Sequence, residues 1–412
     1  MITIAVLAFG AGCVTPQLPT PAHPPAPDRY ERAADPDPVA RMKAADELVG
    51  DPSPQAAKML LVLNQRDIDP AVRAHAASAI AARHDPALED SLEASAARDP
   101  DPAVRAAAEA ARVKLWPFSK RPGTAAGLAL LCPGCGHFYL RQPGVGATYI
   151  GAQVALIGGA VLLLQDHELA LDGTSDSAQV PIALQLAAAA QNLTFYSIFD
   201  AYRDARVGRD DLGYKFKITR ESLGDLASAP FRPSVLKSPW VWAGVPLALA
   251  AGIGVSYLVA PDEFTDYKSI FDIDRVNFLG KQMSRGTGFA AGFAYFATLF
   301  TGVGVGEEAL FRGVIQTEME ERFGTYGGLA IASAIFGAVH VFNFLQDPGT
   351  AAVAVPLITV LGSSMGLAYI RTHHKLATSV AMHFWYDTLL SAIAFAADPE
   401  HQPFVVNYGA SM

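Results

Sequence analysis

The residues best suited to chemistry lie at 305–316, where two adjacent carboxylates and an arginine interrupt an apolar stretch. Residues 288–305 carry no charge, and apolar sequence resumes beyond residue 322. Ionisable side chains are costly in apolar surroundings, and those found there usually serve a function. Glu307, Glu308 and Arg312 are therefore the first candidates for a functional site.

On an α-helix, Glu308 and Arg312 lie four residues apart on one face, with the acid N-terminal to the base, the favourable order. We expect them to neutralise each other at membrane depth. Glu307 points about 100° away from Glu308 and has no obvious local partner. A carboxylate so placed suits a general base. The alternative is that the three residues form a buried clamp that only fixes helix packing.

Two later apolar helices carry imidazoles. Phe336 and His340 lie one turn apart on one helix face, and Asn343 is a candidate to orient the imidazole. His383 and Asp387 also share a face, so the carboxylate can orient or charge the ring. Scattering such groups into lipid would cost several kcal/mol each, so we predict that the three segments converge on one water-containing cavity.

Peptide hydrolysis in such a cavity needs a water nucleophile, a base and a group that stabilises the oxyanion. Glu307 and His340 supply the first two requirements, and a serine mechanism of the Gly-x-Ser-x-Gly type is disfavoured. A zinc ion held by Glu307, His340 and His383 is the alternative. We prefer a glutamate-activated water without a cofactor or metal.

The ordered motifs Glu-Glu-x-x-x-Arg, Phe-x-x-x-His and His-x-x-x-Asp resemble the CPBP family. This family comprises CAAX-processing proteases of the Ras-converting type together with bacteriocin-processing and immunity proteins. The resemblance covers about residues 288–397 and implies an all-helical intramembrane protease. It implies that Glu307 activates water with His340 as its partner, and that His383 and Asp387 stabilise the oxyanion.

The resemblance also implies that Glu308 and Arg312 organise the site. The prenyl-processing enzymes have asparagine at the last motif position, where this chain has Asp387. An aspartate cannot donate a hydrogen bond unless it is protonated, so Asp387 could instead orient His383. Nothing in the sequence implies a prenylated substrate.

The composition indicates an integral membrane protein. The chain has 412 residues, of which 51% are hydrophobic and 17% charged, which suggests two or three domains. The net charge of −9 argues against a nucleic-acid partner. Three cysteines are too few for a disulfide scaffold.

We predict an all-α polytopic transmembrane bundle of about eight spans, with N-terminal membrane segments at 124–260 and a protease core at 288–397. The predicted spans are Thr124–Leu140, Gly144–Leu164, Pro181–Ala201, Trp240–Ala260, Phe289–Val305, Tyr326–Phe344, Ala351–Ile370 and Ala377–Ala397. The first is broken by a Cys-Pro-Gly-Cys sequence and is either a short span or a re-entrant hairpin. Cys132, Cys135 and His137 could form half a zinc site or a redox pair, but a tight bend is the preferred interpretation.

The charge distribution predicts the topology. The basic loops 202–239 and 371–375 should be cytoplasmic, and the acidic segment 165–179 should lie outside. We expect a multi-pass protein of the bacterial inner membrane, in contact with membrane lipid. If residues 124–140 span, the N-terminal region lies outside; if they form a hairpin, it is cytoplasmic.

The N-terminal region contains a repeat. Asp-Pro pairs at Asp37, Asp69 and Asp101 recur at 32-residue spacing, each before an alanine-rich helical stretch. The aspartate suits a helix cap and the proline a first turn. The pattern across residues 35–115 resembles HEAT repeats, which stack as helix pairs. Such an array either binds a protein partner or acts as a spacer.

Residues 1–13 resemble a lipoprotein signal, with small residues before Cys13, which would be acylated. Position 10 is glycine rather than leucine, and no basic residue precedes the apolar run. Residues 14–34 then form a Pro-rich linker. A frayed apolar N-terminus with an ordinary cysteine is the alternative.

Three functions compete. The first is an intramembrane endopeptidase that cuts a membrane-associated protein or peptide, which the repeats recruit. The second is a catalytically inactive membrane scaffold whose repeats bind a protein partner. A transporter with a proton-relay carboxylate is a weaker third, because no repeat between membrane halves is detectable.

Overall fold

The computed structural model describes residues 27–165, 177–259, 268–345, 347–400 and 402. The described residues form two compact units. The repeat unit comprises residues up to 125 together with 204–217, and the membrane unit comprises 126–203 and the residues from 218 onward. The predicted signal with Cys13, and most of the predicted linker, lie outside the described residues.

The repeat unit is built of short helices packed in pairs. They are α1 Pro27–Arg32, α2 Pro38–Val49, α3 Pro54–Arg66, α4 Pro70–Ala82, α5 Glu89–Arg98 and α6 Pro102–Ser119. Asp37, Asp69 and Asp101 cap α2, α4 and α6 by accepting hydrogen bonds from backbone N–H groups two residues on, and proline follows each cap. The Asp-Pro pairs therefore begin helices as predicted.

Buried charge pairs join successive repeats. Arg41 donates two hydrogen bonds to Asp67, at 2.7 and 2.9 Å. Arg73 repeats the arrangement with Asp99 at 2.8 and 2.9 Å. Alanine and leucine side chains fill the interior between the helices. The 32-residue period therefore sets both the apolar core and a repeated arginine–aspartate contact.

The membrane unit is a bundle of long apolar helices joined by shorter helices. They are α7 Pro122–Leu131, α8 Cys135–Tyr139, α9 Pro143–Leu164, α10 Gln179–Gly208, α11 Leu223–Ser228, α12 Pro233–Leu236, α13 Pro239–Val259, α14 Arg285–Glu308, α15 Thr317–Phe323, α16 Thr325–Val339, α17 Pro348–Arg371 and α18 Leu376–Ala397. Within the described residues, six helical segments are long and apolar enough to cross a membrane. The all-α polytopic bundle is thus confirmed, whereas the predicted count of about eight spans is not.

The predicted span at 124–140 is not a continuous helix. Helix α7 has 10 residues, which cover about 15 Å against a hydrocarbon thickness of about 30 Å. A bend at Gly134, with φ of +91°, separates it from α8, and a Cβ there would lie 2.3 Å from the carbonyl oxygen of Gly146. The preferred bend at Cys132–Cys135 is therefore present, and the two cysteines form a disulfide. The argument for repeats outside the membrane, which needed this span, is lost.

A short β-hairpin departs from the all-helical expectation. Strands β1 Arg275–Phe278 and β2 Lys281–Ser284 pair antiparallel around a two-residue turn at Leu279 and Gly280, both with positive φ. Val276 of β1 is buried with Ile270, Phe296 of α14 and Phe395 of α18. A turn glycine between two segments of alternating polar and apolar residues is typical of a β-hairpin. Our sequence interpretation did not use this feature.

Candidate functional site

Glu307 and Glu308 are the last two residues of α14, and the helix changes type directly after them. Ala309–Gln316 is a π-helix, and α15 continues from Thr317. π-Helical turns inside α-helices are frequent at functional sites. The sequence interpretation assumed regular α-helical spacing here and contained no indication of the π-helix.

Glu308 and Arg312 form the expected ion pair. Glu308 Oε1 lies 2.9 Å from Arg312 Nη1, with 0% and 2% of the two side chains exposed. Arg312 Nη2 donates to the Gly362 carbonyl of α17 at 2.9 Å. The guanidinium also lies 4.4 Å from the centre of the Phe336 ring of α16. The pair thus ties α14 and the π-helix to α16 and α17.

His383 of α18 is held by two carboxylates. Its Nδ1 lies 2.9 Å from Glu308 Oε1, and its Nε2 lies 3.2 Å from Asp387 Oδ2 one turn further along α18. Both ring nitrogens therefore face acceptors, an arrangement in which a protonated ring donates to both. The contact with Asp387 was expected from the four-residue spacing, whereas the contact with Glu308 could be seen only in the tertiary structure.

His340 lies where α16 ends and a 3₁₀ turn, His340–Phe344, begins. The backbone N–H of His340 bonds to Ala338 and Gly337, which leaves the Phe336 carbonyl without its usual helical partner. His340 Nδ1 donates to this carbonyl at 2.7 Å. Nε2 then carries the lone pair of the neutral ring, and the Phe336 ring packs 4.6 Å away, centre to centre.

Asn343 does not contribute as predicted. Asn343 is exposed, and within the described part of the chain it has no hydrogen bond to His340. The Phe336 carbonyl, freed at the helix end, orients the imidazole instead. The prediction placed Asn343 in a continuing helix, but α16 stops at Val339.

Glu307 lies at the centre of this arrangement. Its Oε2 is 3.8 Å from His340 Nε2 and 3.9 Å from His383 Nε2. This oxygen is buried without a hydrogen-bond partner among the described residues, while 14% of the side chain is exposed. These separations exceed a direct hydrogen bond but suit one bridging water oxygen. The structure thus brings together residues from three separate apolar segments.

A residue outside the predicted core holds α18 in place. The backbone N–H groups of Leu376 and Ala377, at the start of α18, donate to the two carboxylate oxygens of Glu221 at 2.7 and 3.1 Å. The Lys375 side chain makes no cap bond. Glu221 therefore acts as a remote cap for the helix that carries His383 and Asp387. Because the contact spans 155 residues, no local signal could have predicted it.

A second buried polar cluster was also missed. Asp200 of α10 accepts hydrogen bonds from His137 at 3.0 Å and Tyr149 at 2.8 Å, and it pairs with Arg203. His137 is the histidine that the sequence offered as half of a zinc site with Cys132 and Cys135. It contacts Asp200 instead. The presence of an acid in the apolar segment 181–201 was a sequence feature that could have indicated this cluster.

The serine motif needs a correction. Gly362–Gly366 of α17 matches the Gly-x-Ser-x-Gly spacing, which our sequence interpretation overlooked. Ser364 Oγ donates to the Leu361 carbonyl at 2.7 Å inside α17. A nucleophile of this type sits on a strand-to-helix turn and is paired with a base. This serine has neither feature, so the motif carries no serine chemistry here.

The alternative zinc site was tested against the arrangement of donors. Within the described residues, no group of three or more His, Cys, Asp or Glu side chains is arranged to hold a metal ion. Each ring nitrogen of His383 faces a carboxylate oxygen, and a histidine that binds a metal through one ring nitrogen commonly donates its other N–H group to a carboxylate. The preference for a metal-free site over zinc at Glu307, His340 and His383 therefore stays a prediction.

Comparison with known families identifies two segments. Residues 289–389, which include every site residue from Glu307 to Asp387, match the family described as Type II CAAX prenyl endopeptidase Rce1-like. Residues 26–112 match HEAT repeats. Comparison with curated proteins and with solved structures gave no match. The predicted resemblance is confirmed: the chain combines HEAT repeats with a multi-pass membrane segment similar to Rce1-like CAAX endopeptidases, which supports a peptidase.

Proposed function

We propose that the protein is an intramembrane endopeptidase that hydrolyses a peptide bond of a membrane-associated protein with a water activated by Glu307 and His340. The observation that carries the proposal is the position of Glu307 Oε2, which is buried, has no hydrogen bond among the described residues and lies 3.8–3.9 Å from two imidazole nitrogens. A carboxylate that only fixed helix packing would have at least one oxygen held by a close partner, as Glu308 has through Oε1.

In the proposed mechanism, one water donates its two protons to acceptors on different helices. Glu307 accepts one, and the free Nε2 of His340 accepts the other, because its Nδ1 proton is committed to the Phe336 carbonyl. Glu307 removes a proton as the water oxygen attacks the peptide carbonyl. The carboxylic acid then returns this proton to the departing amine, which balances the reaction.

His383 is proposed to stabilise the negative charge that develops on the carbonyl oxygen. Its contact with Glu308 fixes the ring plane, and Asp387 orients Nε2. This assigns Asp387 a positioning role rather than that of an oxyanion donor, in keeping with its acceptor-only chemistry. Glu308 and Arg312 set the distance between α14 and α18, so they position the site without touching the reacting atoms.

The test compares membrane-protein fragments from cells that express wild-type protein, Glu307→Gln or Glu307→Ala. A fragment that is present with the wild type and lost with both variants identifies a substrate. Glu318→Gln is the matched control, because this acid of α15 contacts Tyr202 rather than a catalytic histidine. Fragments retained with Glu307→Gln would contradict the proposal. A chelator added to purified protein separates this mechanism from a metallopeptidase.

The repeats support a second candidate. Their match to HEAT repeats favours binding of a protein partner, either to recruit a substrate or as the sole function of an inactive scaffold. The scaffold hypothesis predicts that Glu307→Gln leaves cellular function intact while partner binding to the repeats continues. The endopeptidase hypothesis predicts loss of cleavage with partner binding unchanged.

A further inference from the structure

A cavity of about 730 Å³ lies in the membrane unit, away from Glu307. Its walls are formed by residues 219–225, by residues 232–238 around α12, and by the turn between α17 and α18 with the first turn of α18. None of the lining residues belongs to the cluster around Glu307. The cavity therefore needs a function of its own.

The lining is rich in cations and hydroxyl groups. Arg220, Arg232 and Lys375 contribute positive charge, and Thr219, Thr372 and Thr378 contribute hydroxyl groups. Guanidinium, ammonium and hydroxyl donors together are the groups that bind phosphate oxygens in proteins.

Two acids also line the cavity, but both are engaged. Glu221 accepts the two N–H groups that begin α18 and the Thr219 hydroxyl. Asp225 accepts the N–H and hydroxyl groups of Ser222 and lies 3.8 Å from Arg232. Hydrogen bonding lowers the pKa of Asp225, with the Ser222 hydroxyl as the largest cause. These carboxylates therefore stabilise local structure and leave the remaining cations unneutralised.

Arg220 and Lys375 are the cations of the lining that have no acidic partner within the described residues. Both are exposed at the cavity, and within the described residues neither forms an ion pair or a side-chain hydrogen bond. Two uncompensated charges beside one concave surface favour an anionic ligand.

The cavity lies at the membrane boundary. Thr372 and Lys375 belong to the short turn between α17 and α18, two segments that are each long and apolar enough to span. Ser238, also in the lining, directly precedes the apolar helix α13. A turn between two spans lies at the depth of lipid headgroups.

We propose that this cavity binds the phosphate of an anionic phospholipid headgroup, with Arg220 and Lys375 as its principal charge contacts. Basic pockets between the ends of transmembrane helices bind such headgroups. The threonine hydroxyl groups add neutral donors, and the acyl chains would extend along the apolar helices. Because Glu221 joins the cavity wall to α18, a bound headgroup would also stabilise the start of the helix that carries His383.

The test uses full-length protein in neutral detergent, titrated with short-chain phosphatidylglycerol or phosphatidylcholine, and bound lipid is counted by native mass spectrometry. We expect phosphatidylglycerol to bind at least tenfold more tightly. Arg220→Gln and Lys375→Gln should each weaken its binding about fivefold, since a cation near an anionic surface contributes about 1 kcal/mol.

Arg371→Gln is the matched control. Arg371, the last residue of α17, is an exposed cation next to the same turn, but it does not line the cavity, so its loss should change binding less than twofold. Equal weakening by Arg371→Gln and Lys375→Gln would show diffuse attraction and overturn the proposal. Equal binding of the two lipids would do so as well.

A titration with inorganic phosphate distinguishes a lipid headgroup from free phosphate as the ligand. We expect it to bind at least tenfold more weakly than phosphatidylglycerol, and at the same residues. Binding as tight as that of the lipid would mean a free-phosphate site and would overturn the lipid assignment. Lipid binding needs no peptide cleavage, so the outcome is independent of the proposed endopeptidase activity. Each variant is first checked for a single peak on size-exclusion chromatography.

Discussion

Two clusters in the membrane unit each combine a buried histidine with an aspartate among apolar helices, and they differ in how far their acids are satisfied. In the first cluster, the carboxylate of Asp200 accepts hydrogen bonds from His137, Tyr149 and Arg203. The His137 side chain is 0% exposed. In the second cluster, Glu307 has no hydrogen bond within the described residues and is partly exposed.

The difference supports the proposal that the Glu307 cluster, rather than the Asp200 cluster, is the catalytic site. A carboxylate with three donors is stabilised as an anion and has little capacity to remove a proton from water. A buried carboxylate without donors has that capacity, and its exposed edge admits the water. Burial and residue type are shared by both clusters, so neither of them distinguishes the two. The number of donors to the central acid does: Asp200 has three, and Glu307 has none among the described residues.

The largest expected effect is on activity. Glu307→Gln should lower cleavage of a substrate found by the fragment comparison at least a thousandfold, since general-base catalysis contributes about 10²–10⁴-fold. Asp200→Asn should change the cleavage rate of folded protein by less than about threefold. The measurement is the initial rate with purified protein in lipid. A comparable loss in both variants would remove the distinction between the clusters.

For stability we expect the opposite order: a substitution at Asp200 should cost more than one at Glu307. Asp200→Ala removes the acceptor of three hydrogen bonds, including the ion pair with Arg203, which should lower the free energy of unfolding by about 3–5 kcal/mol. Glu307→Ala should cost less than about 1 kcal/mol, because Glu307 has no hydrogen bond to lose. Chemical unfolding in mixed detergent, followed by circular dichroism, measures both. An equal loss from Glu307→Ala would indicate a structural role for that residue.

A charged pair in the repeat unit extends the comparison to fully ionised partners. Hydrogen bonds from Arg73 hold the pKa of Asp99 below its usual range. The pair therefore contributes its full stabilisation of the fold above about pH 4. That stabilisation is lost as the pH falls through the lowered pKa of Asp99. Arg73→Ala should destabilise the repeat unit by about 3 kcal/mol at neutral pH and reduce this acid sensitivity. Hydrogen exchange of α4–α6 measures the effect.

Arg112→Ala is the control for that variant. Arg112 pairs with Glu109 on the exposed face of α6, and such pairs contribute about 0–1 kcal/mol. Exchange protection that falls equally in the two variants would mean that burial of the Arg73–Asp99 pair is unimportant.

The smallest expected effect concerns the packing that brings Glu307 into place. A Cβ on Gly306 would lie 2.5 Å from the Asn192 side chain of α10, whereas a Cβ on Gly302 of the same helix would meet nothing within 4 Å. Gly306→Ala should cost about 1–3 kcal/mol and lower activity by displacing Glu307. Gly302→Ala should be neutral or slightly stabilising. Thermal unfolding and cleavage rates compare the pair, and equal behaviour would contradict the close approach.

Much of the local structure followed from the sequence. The Asp-Pro repeats predicted the starts of α2, α4 and α6, because capping depends on neighbouring residues alone. Four-residue spacing predicted the Glu308–Arg312 and His383–Asp387 contacts for the same reason. Asn343 forms no hydrogen bond with His340 among the described residues, because α16 ends at Val339. The π-helix after Glu308 and the bend at Gly134 also depend on packing that a periodicity argument does not include.

Hydropathy, spacing and residue chemistry are properties of short segments, and they were enough to predict the membrane-embedded helical class, the repeat and the candidate residues. Which acid is satisfied depends on the packing of the whole unit. Asp200 meets His137 and Tyr149, Glu221 meets the start of α18, and Glu307 lies between His340 and His383 without a hydrogen bond to either. These relations join residues far apart in the chain, and they arise from how the helices pack against one another rather than from any local pattern.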